Sequence, residues 1–231
     1  MKILFVMRHP MFVRYFESVV DRLAAKGHRI HLGFTPAASL EGVENQQVDQ
    51  LTAARPQITA SLVPERSDHW TFFVTYIRSL RSYLRYLDPV YSRCRGLTQR
   101  AREQIDPVVP WLIRNVPGLR RPAAVRALSR ILRWLEDVVP TDPTIDAEIA
   151  RHRPALVLVS PLIDPRSKQV DYLKSAAAMG VRTGLCVASW DNLTNKGLVQ
   201  PEPDAVFVWN HEQKREAVEM HGLHPAGVHV T

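Results

Sequence analysis

Three consecutive stretches at the amino terminus constrain the fold most. "KILFVM" (2–7) is apolar from Ile3 onward and has the length of a central strand. "FVRYFESVVDRLAAKGH" follows, with Phe12, Tyr15, Phe16, Val19, Val20 and Leu23 at helical spacing and Gly27 placed to end the helix in a left-handed turn. "RIHLGF" (29–34) is a second strand. A strand, a helix and a strand in this order form a βαβ unit, whose two strands lie parallel.

The alternation continues. "QITASLVP" (57–64) is a third strand, "PALVLVS" (154–160) a fourth, "RTGLCVAS" (182–189) a fifth and "PDAVFVWN" (203–210) a sixth. A helix is expected near 167–179, another over "HEQKREAVEMHG" ending at Gly222, and "GVHVT" reads as the start of a further strand. Between about 69 and 150 the pattern becomes helical and is cut by Pro89, Pro107, Pro110, Pro117 and Pro122. The expected fold is α/β: a doubly wound, Rossmann-like, mostly parallel sheet with an arginine-rich helical insertion.

In such sheets ligands bind outside the carboxyl ends of the strands. The segments of interest are therefore 8–10, 34–36, 160–164, 189–196 and 209–211. The first turn, "RHP", contains no G-x-G-x-x-G, and no G-x-x-x-x-G-K-[ST] occurs anywhere, so neither a dinucleotide fingerprint nor a P-loop is present. No D-x-D is present to hold a diphosphate through a metal. No cofactor and no metal site are expected: His221 and His224 are separated by Gly222 and followed by Pro225, which break any helix that would pair them. The two cysteines, Cys94 and Cys186, make no disulfide framework.

"SWDNLTNKG" (189–197) is the richest polar segment at a strand end. Asp191 can orient a hydroxyl or take a proton. Asn192, Thr194 and Asn195 suit sugar hydroxyls, Trp190 offers an apolar face, and Lys196 can meet a phosphate. The same residues are also common turn formers. In "RHPMFVR", His9 is a candidate general base, and Arg8 and Arg14 can meet an anion. Asn210 is either a ligand contact or a helix N-cap, with Gln213 completing a capping box.

The formal net charge is +7, which suits an anionic partner. Thirteen arginines lie between Arg78 and Arg133, against Asp88, Glu103 and Asp106 as the only acids of that span. They form either a solvated face around a helical core or a grip on an anionic membrane or lipid phosphate; nucleic acid fits less well. No run approaches the ~20 apolar residues of a bilayer span, and the amino terminus is too short for a signal-peptide core. The expected location is the cytoplasm, peripheral on the inner face of the membrane.

The stretches "KILFVMRHPMFVRYFESVVDRLAAKGHRI", "SWDNLTNKG" and "PDAVFVWNHEQKREAVEMHGLHPAGVHVT" resemble the N-terminal domain of a GT-B-fold glycosyltransferase, of the kind that works on bacterial surface polysaccharides. The resemblance covers most of the α/β part and leaves the insertion outside. It implies that residues 1–231 are the acceptor-side half of a two-domain enzyme, with a second domain holding the nucleotide-sugar donor and the fragment inactive alone. It also implies that His9, after the first strand, acts as the acceptor's base. The expected function is transfer of a sugar to a surface-polysaccharide or lipid-linked acceptor. A sugar-nucleotide epimerase on the same scaffold and a non-catalytic polyanion- or membrane-binding module are the alternatives.

Overall fold

The alternation of side chains along the first strand sets both layers of the core. In the computed structural model, which describes residues 1–36, 43–162 and 166–231, β1 (Lys2–Met7) is buried from Ile3 to Met7. Ile3, Phe5 and Met7 point to one face of the sheet, and Leu4 and Val6 to the other. The first face is covered by α1 (Val13–Ala25), which buries Val13, Phe16, Val20 and Ala24 along one stripe. Gly27, at φ 82°, ends α1 as expected, and the His28 N–H returns to the Leu23 carbonyl.

β2 (Arg29–Phe34) pairs parallel with β1 in the register Ile3 to Ile30. A second helix on this face, α2 (Val43–Ala54), leads into β3 (Ile58–Leu62). This helix was not expected from the sequence: "VENQQVDQLTAA" has only three large apolar residues and shows no strong stripe. Gly33 lets β2 pass close to the chain after β3, since a Cβ there would lie 2.7 Å from Val63 Cγ1.

The chain then leaves the sheet through α3 (Thr71–Arg85), α4 (Arg95–Arg102), α5 (Val108–Asn115) and α6 (Pro122–Val138). These have their own apolar cluster around Ile77, Tyr83, Leu84, Ile105, Ile113 and Leu132. The prolines act as punctuation: Pro107 caps α5 and Pro122 is the first residue of α6. α7 (Pro143–His152), N-capped by Asp142, returns to the sheet and buries Ile145 and Ile149 against it. The helices that stand apart thus run from Thr71 to Val138, a shorter span than the expected 69–150.

β4 (Leu156–Ser160) enters beside β1, followed by α8 (Gln169–Ala178), β5 (Arg182–Cys186), the short α9 (Asn192–Asn195), β6 (Ala205–Val208), α10 (His211–His221) and β7 (Val228–Val230). The seven strands among the described residues are all parallel, in the order β3-β2-β1-β4-β5-β6-β7. Strand order reverses between β1 and β4. The doubly wound, Rossmann-like α/β fold follows from this order alone, and its switch point lies where β1 and β4 end.

A buried ion-pair network fastens the insertion to the sheet layer. Arg78 of α3 is only 2% exposed. Its Nε donates to Glu136 of α6 at 2.6 Å and its Nη2 to Asp171 of α8 at 2.8 Å. Arg81 donates to the second Glu136 oxygen at 3.0 Å, and Arg66 lies 3.7 Å from Asp171. Burial opposes the Arg78 charge, but Asp171 and Glu136 overcome it and its pKa is raised. Two of the thirteen arginines are therefore buried and paired. Asp171→Asn leaves the Arg78 guanidinium short of a counter-charge and is expected to cost about 3–5 kcal/mol in urea unfolding. A loss below about 1 kcal/mol would show the network to be structurally dispensable.

A second tie joins α10 to the loop after β5. The His221 Nε2–H donates to the Leu193 carbonyl at 2.7 Å, and Nδ1 accepts from the Val199 N–H at 3.0 Å. Burial and the adjacent Arg85 lower its pKa to about 3. In the unfolded chain the ring takes up a proton below about pH 6.5, while the folded ring stays neutral down to the lowered value. The unfolded state then binds more protons, so stability falls as pH falls between roughly 6.5 and 3. The expected loss from this residue approaches about 1.4 kcal/mol per pH unit inside that window. Denaturation midpoints for the wild type and His221→Gln at about pH 6 and pH 5 check this; equal pH slopes in the two proteins would refute it.

Candidate functional site

The carboxyl edge of the sheet collects the turns singled out above. At the switch point, the Arg8 N–H donates to the Ser160 carbonyl at 3.2 Å, and the Thr35 hydroxyl donates to the Arg8 carbonyl at 3.1 Å. Ser160 is fully buried, and its hydroxyl has no hydrogen-bond partner among the described residues. Ile163 and Asp164, expected at this edge, lie outside the described residues. Arg8 is exposed and His9 half-buried.

His9 starts the helical turn Pro10–Phe12, its Nδ1 accepting from the Met11 N–H at 3.1 Å. That bond selects the neutral tautomer with the proton on Nε2. The Nδ1 lone pair is thereby engaged, and to act as a base through it the ring must first release Met11. Arg14 turns along α1 instead of toward the edge, donating to the Tyr15 hydroxyl at 2.6 Å with its guanidinium 4.7 Å from that ring's centroid.

The 189–197 segment is folded tightly. Asp191 accepts from the Ser189 hydroxyl at 2.6 Å and from Asn195 Nδ2 at 2.8 Å. The Ser189 hydroxyl, the Asn195 amide and the Lys196 charge lower its pKa despite partial burial. Asp191 is thus an ionised, oriented acceptor and a weak base. Asn192 is buried and its Oδ1 accepts from the Ala188 N–H at 3.3 Å, which gives it a structural job in place of the expected ligand contact. Thr194 donates to the Asp191 carbonyl, and Asn195 Oδ1 is buried without a partner among the described residues. Trp190 is 74% exposed and offers a free ring face at the edge. Lys196 is half-buried.

Neighbouring elements hold this segment by its backbone. Arg85 Nη2 donates to the Lys196 carbonyl at 2.9 Å, and the Tyr86 hydroxyl to the same oxygen at 2.6 Å. Gln213 Nε2 donates to the Ser189 carbonyl at 3.1 Å. Half of the expected capping box forms: Asn210 Oδ1 accepts from the Gln213 N–H at 2.8 Å, but Gln213 Oε1 accepts from the N–H of Trp209, one residue before the cap, at 2.8 Å. Asn210 is therefore a helix cap, and its side-chain oxygen is taken. The Trp209 indole donates to the Val187 carbonyl at 2.9 Å and walls the far side of the edge.

The structure brings His9 and Asp191 to one edge but not into one hydrogen-bonded pair. β4 lies between β1 and β5, so their strand ends stand two spacings, about 10 Å, apart. A substrate bridging them must span that gap. Arg85, Tyr86 and His221, which position the loop, carry no sequence signal for this role: Arg85 and Lys196 are 111 residues apart.

His31, Glu148 and His152, which the sequence did not single out, are the one group of metal-ligating type among the described residues. The geometry disfavours an ion. The two rings stack at 4.0 Å between centroids, so their in-plane lone pairs do not converge. Both His31 nitrogens are hydrogen-bonded to the Thr59 and Ser61 hydroxyls, and Glu148 already serves Arg151 and His152. Burial and the adjacent His152 lower the His31 pKa to about 4, which keeps this ring neutral.

No family model matches the sequence, and no curated protein matches it. Among solved structures, the chain is similar to the glycosyltransferase VinC in complex with dTDP, at 14% identity and a TM-score of 0.37, over 83% of this chain and 36% of that one. It is similar to the calicheamicin glycosyltransferase CalG4 at 14% identity and a TM-score of 0.32, over 96% and 37%. It is similar to UGT89C1 of Arabidopsis thaliana complexed with UDP at 12% identity and a TM-score of 0.45, over 100% and 49%. The chain spans between about a third and a half of the length of these proteins. Likenesses this distant carry no weight for ligand or activity; what stands, on the strand order itself, is a doubly wound Rossmann-like α/β domain with a four-helix insertion.

Proposed function

We propose that this chain is the acceptor-side half of a two-domain glycosyltransferase, which moves a sugar from a nucleotide sugar to a surface-polysaccharide or lipid-linked acceptor. The observation that carries the reading is the composition of the switch-point edge. The turn after β1 carries Arg8, His9 and Pro10 in place of a glycine-rich loop, and the turn after β5 presents Trp190 and Asp191. Such an edge suits a polyhydroxylated ring better than a dinucleotide diphosphate, which needs close backbone approach at the first turn. The GT-B resemblance of the three quoted stretches supports the same reading.

In this proposal the Trp190 face packs against the acceptor sugar and the Asp191 carboxylate orients its hydroxyls. Release of the Met11 N–H frees the His9 Nδ1 lone pair, which takes the proton of the acceptor hydroxyl as that oxygen attacks the donor sugar and the nucleotide leaves. Lys196 and Arg8 neutralise phosphate at the cleft. The nucleotide-sugar donor is held by a partner domain facing this edge. The enzyme works in the cytoplasm, peripheral on the membrane. Among the described residues no helix is long and apolar enough to cross a membrane, while apolar side chains such as Phe72, Trp111 and Trp134 are exposed on the basic insertion. The same surface also favours the simpler reading of a membrane-binding module.

Full-length protein incubated with a panel of nucleotide sugars, with and without lipid-linked and soluble sugar acceptors, separates these readings. Acceptor-dependent release of nucleotide is expected. Asp191→Asn is expected to lower kcat/KM about 10- to 100-fold, the usual range for a lost charged hydrogen bond. Trp190→Ala is expected to raise the acceptor KM several-fold or about tenfold with a smaller effect on kcat. Folded protein that transfers no sugar, or that epimerises a nucleotide sugar without acceptor, sinks the transferase reading.

A further inference from the structure

A cavity of about 700 Å³ lies wholly within the insertion, walled by the end of α3, the turn Pro89–Tyr91, α4 and α5. Its two sides differ sharply. The floor is aromatic and apolar, made by Tyr83, Tyr86, Tyr91 and Ile113, with Trp111 at its edge. The rim carries Arg95, Arg102, Arg114 and Arg120. All four arginines are exposed, and none takes part in an ion pair among the described residues. Arg102 and Arg120 lie near enough to act electrostatically on the Tyr83 hydroxyl. Asp88 is the one carboxylate in the wall.

The floor also holds an orphaned polar group. Tyr91 is only 5% exposed, and its hydroxyl is buried with no partner among the described residues. A buried hydroxyl left unmatched costs free energy unless something bonds to it. A ligand oxygen in the cavity would supply that bond.

Each half of the cavity rules out a class of ligand. Four guanidiniums call for a multiply charged anion, and phosphate oxygens match their fork geometry. An aromatic floor gives nothing to inorganic phosphate and calls for an apolar body next to the charge. A half-open pocket of this size takes a single head group whose chain leaves through the mouth, and is too small for a nucleic-acid strand. Next to it, Val108, Trp111, Leu112 and Val116 form an exposed apolar stripe on and just after α5. A tryptophan-bearing apolar stripe flanked by arginines fits the interface of an anionic bilayer.

We propose that this cavity seats the phosphate or diphosphate head of a membrane lipid, with the first part of its chain against the tyrosine floor and Trp111. The location deepens the acceptor half of the function proposed above and, as to acceptor anchoring, rests on that reading. Arg85 lies 4.8 Å from the Tyr86 ring centroid and 5.4 Å from that of Tyr91, behind the floor, and reaches the Lys196 carbonyl. A lipid held here therefore shares a wall with the 189–197 loop. Binding itself needs no sugar transfer.

The test uses tryptophan fluorescence of the 231-residue chain with farnesyl diphosphate and with inorganic diphosphate. It adds flotation with phosphatidylcholine vesicles that carry either a prenyl phosphate or phosphatidylglycerol at equal charge. Farnesyl diphosphate is expected to bind at least about tenfold more tightly than inorganic diphosphate, because only it uses the apolar floor. Arg102→Gln with Arg120→Gln is expected to weaken it about tenfold or more. Trp111→Ala is expected to weaken farnesyl diphosphate but not inorganic diphosphate. Tyr91→Phe is expected to cost a few-fold. Arg126→Gln with Arg130→Gln, exposed on α6 outside the cavity, is expected to change nothing. Equal affinity for the two diphosphates overturns the proposal. So does equal flotation with both charged vesicles, or equal loss from the cavity and α6 arginine pairs. Tight, cavity-dependent binding in a full-length protein that transfers no sugar sinks the transferase alone; sugar transfer without cavity-dependent binding sinks this inference alone.

Discussion

The Arg78 guanidinium, on α3, bonds two further helices, α6 and α8, that lie far from it in the sequence. It stands between Glu136 on α6 and Asp171 on α8, so the insertion is bonded to the layer that covers β4 and β5. Buried ions of this kind contribute little net stability compared with apolar packing of the same shape. What this one does is fix geometry, since a single guanidinium bonds carboxylates on two other helices at once. The position of α3 then decides where Arg85 and Tyr86 fall, and these two residues set the end of the loop after β5. The sheet edge and the insertion are thus a single structural unit, although Arg85 and Lys196 are 111 residues apart in the chain.

The strands were readable because they are buried on both faces and so appear as near-continuous apolar runs, as in "KILFVM" and "PALVLVS". The ends of α1 and α10 were readable because Gly27 and Gly222 occupy left-handed positions that favour glycine. The Asn210–Gln213 cap was readable because it is local. Hidden features depend on distance or on weak pattern. α2 lacks a pronounced apolar stripe. The partners of Arg78 lie 58 and 93 residues away, outside the acid-poor span in which the arginines stand out. Sequence could count those arginines but could not separate the buried pair from the exposed majority.

The candidate site divides in the same way. Its location follows from strand order, since the crevice lies where the winding reverses. The job of each side chain does not follow from its type. Asn192 and Asp191 are adjacent and equally suited to hydroxyls, yet the first is turned inward to a backbone N–H and the second is held at the edge by Ser189 and Asn195. His9 has the right chemistry after the right strand, but its Nδ1 is engaged in starting a helix. For such residues the hydrogen-bond partner, not the residue name, decides between acid, base and scaffold.

Neighbouring elements grip the loop after β5 through its main chain: Arg85 and Tyr86 bond a carbonyl at one end, Gln213 a carbonyl at the other, and His221 a carbonyl in the middle. Carbonyls are the same whatever side chain they carry. Positions such as Trp190 and Lys196 can therefore change identity while the loop keeps its path. A scaffold of this design separates what a protein recognises from what keeps it folded, and lets a lineage exchange one ligand for another by point substitution without first rebuilding the edge that presents it.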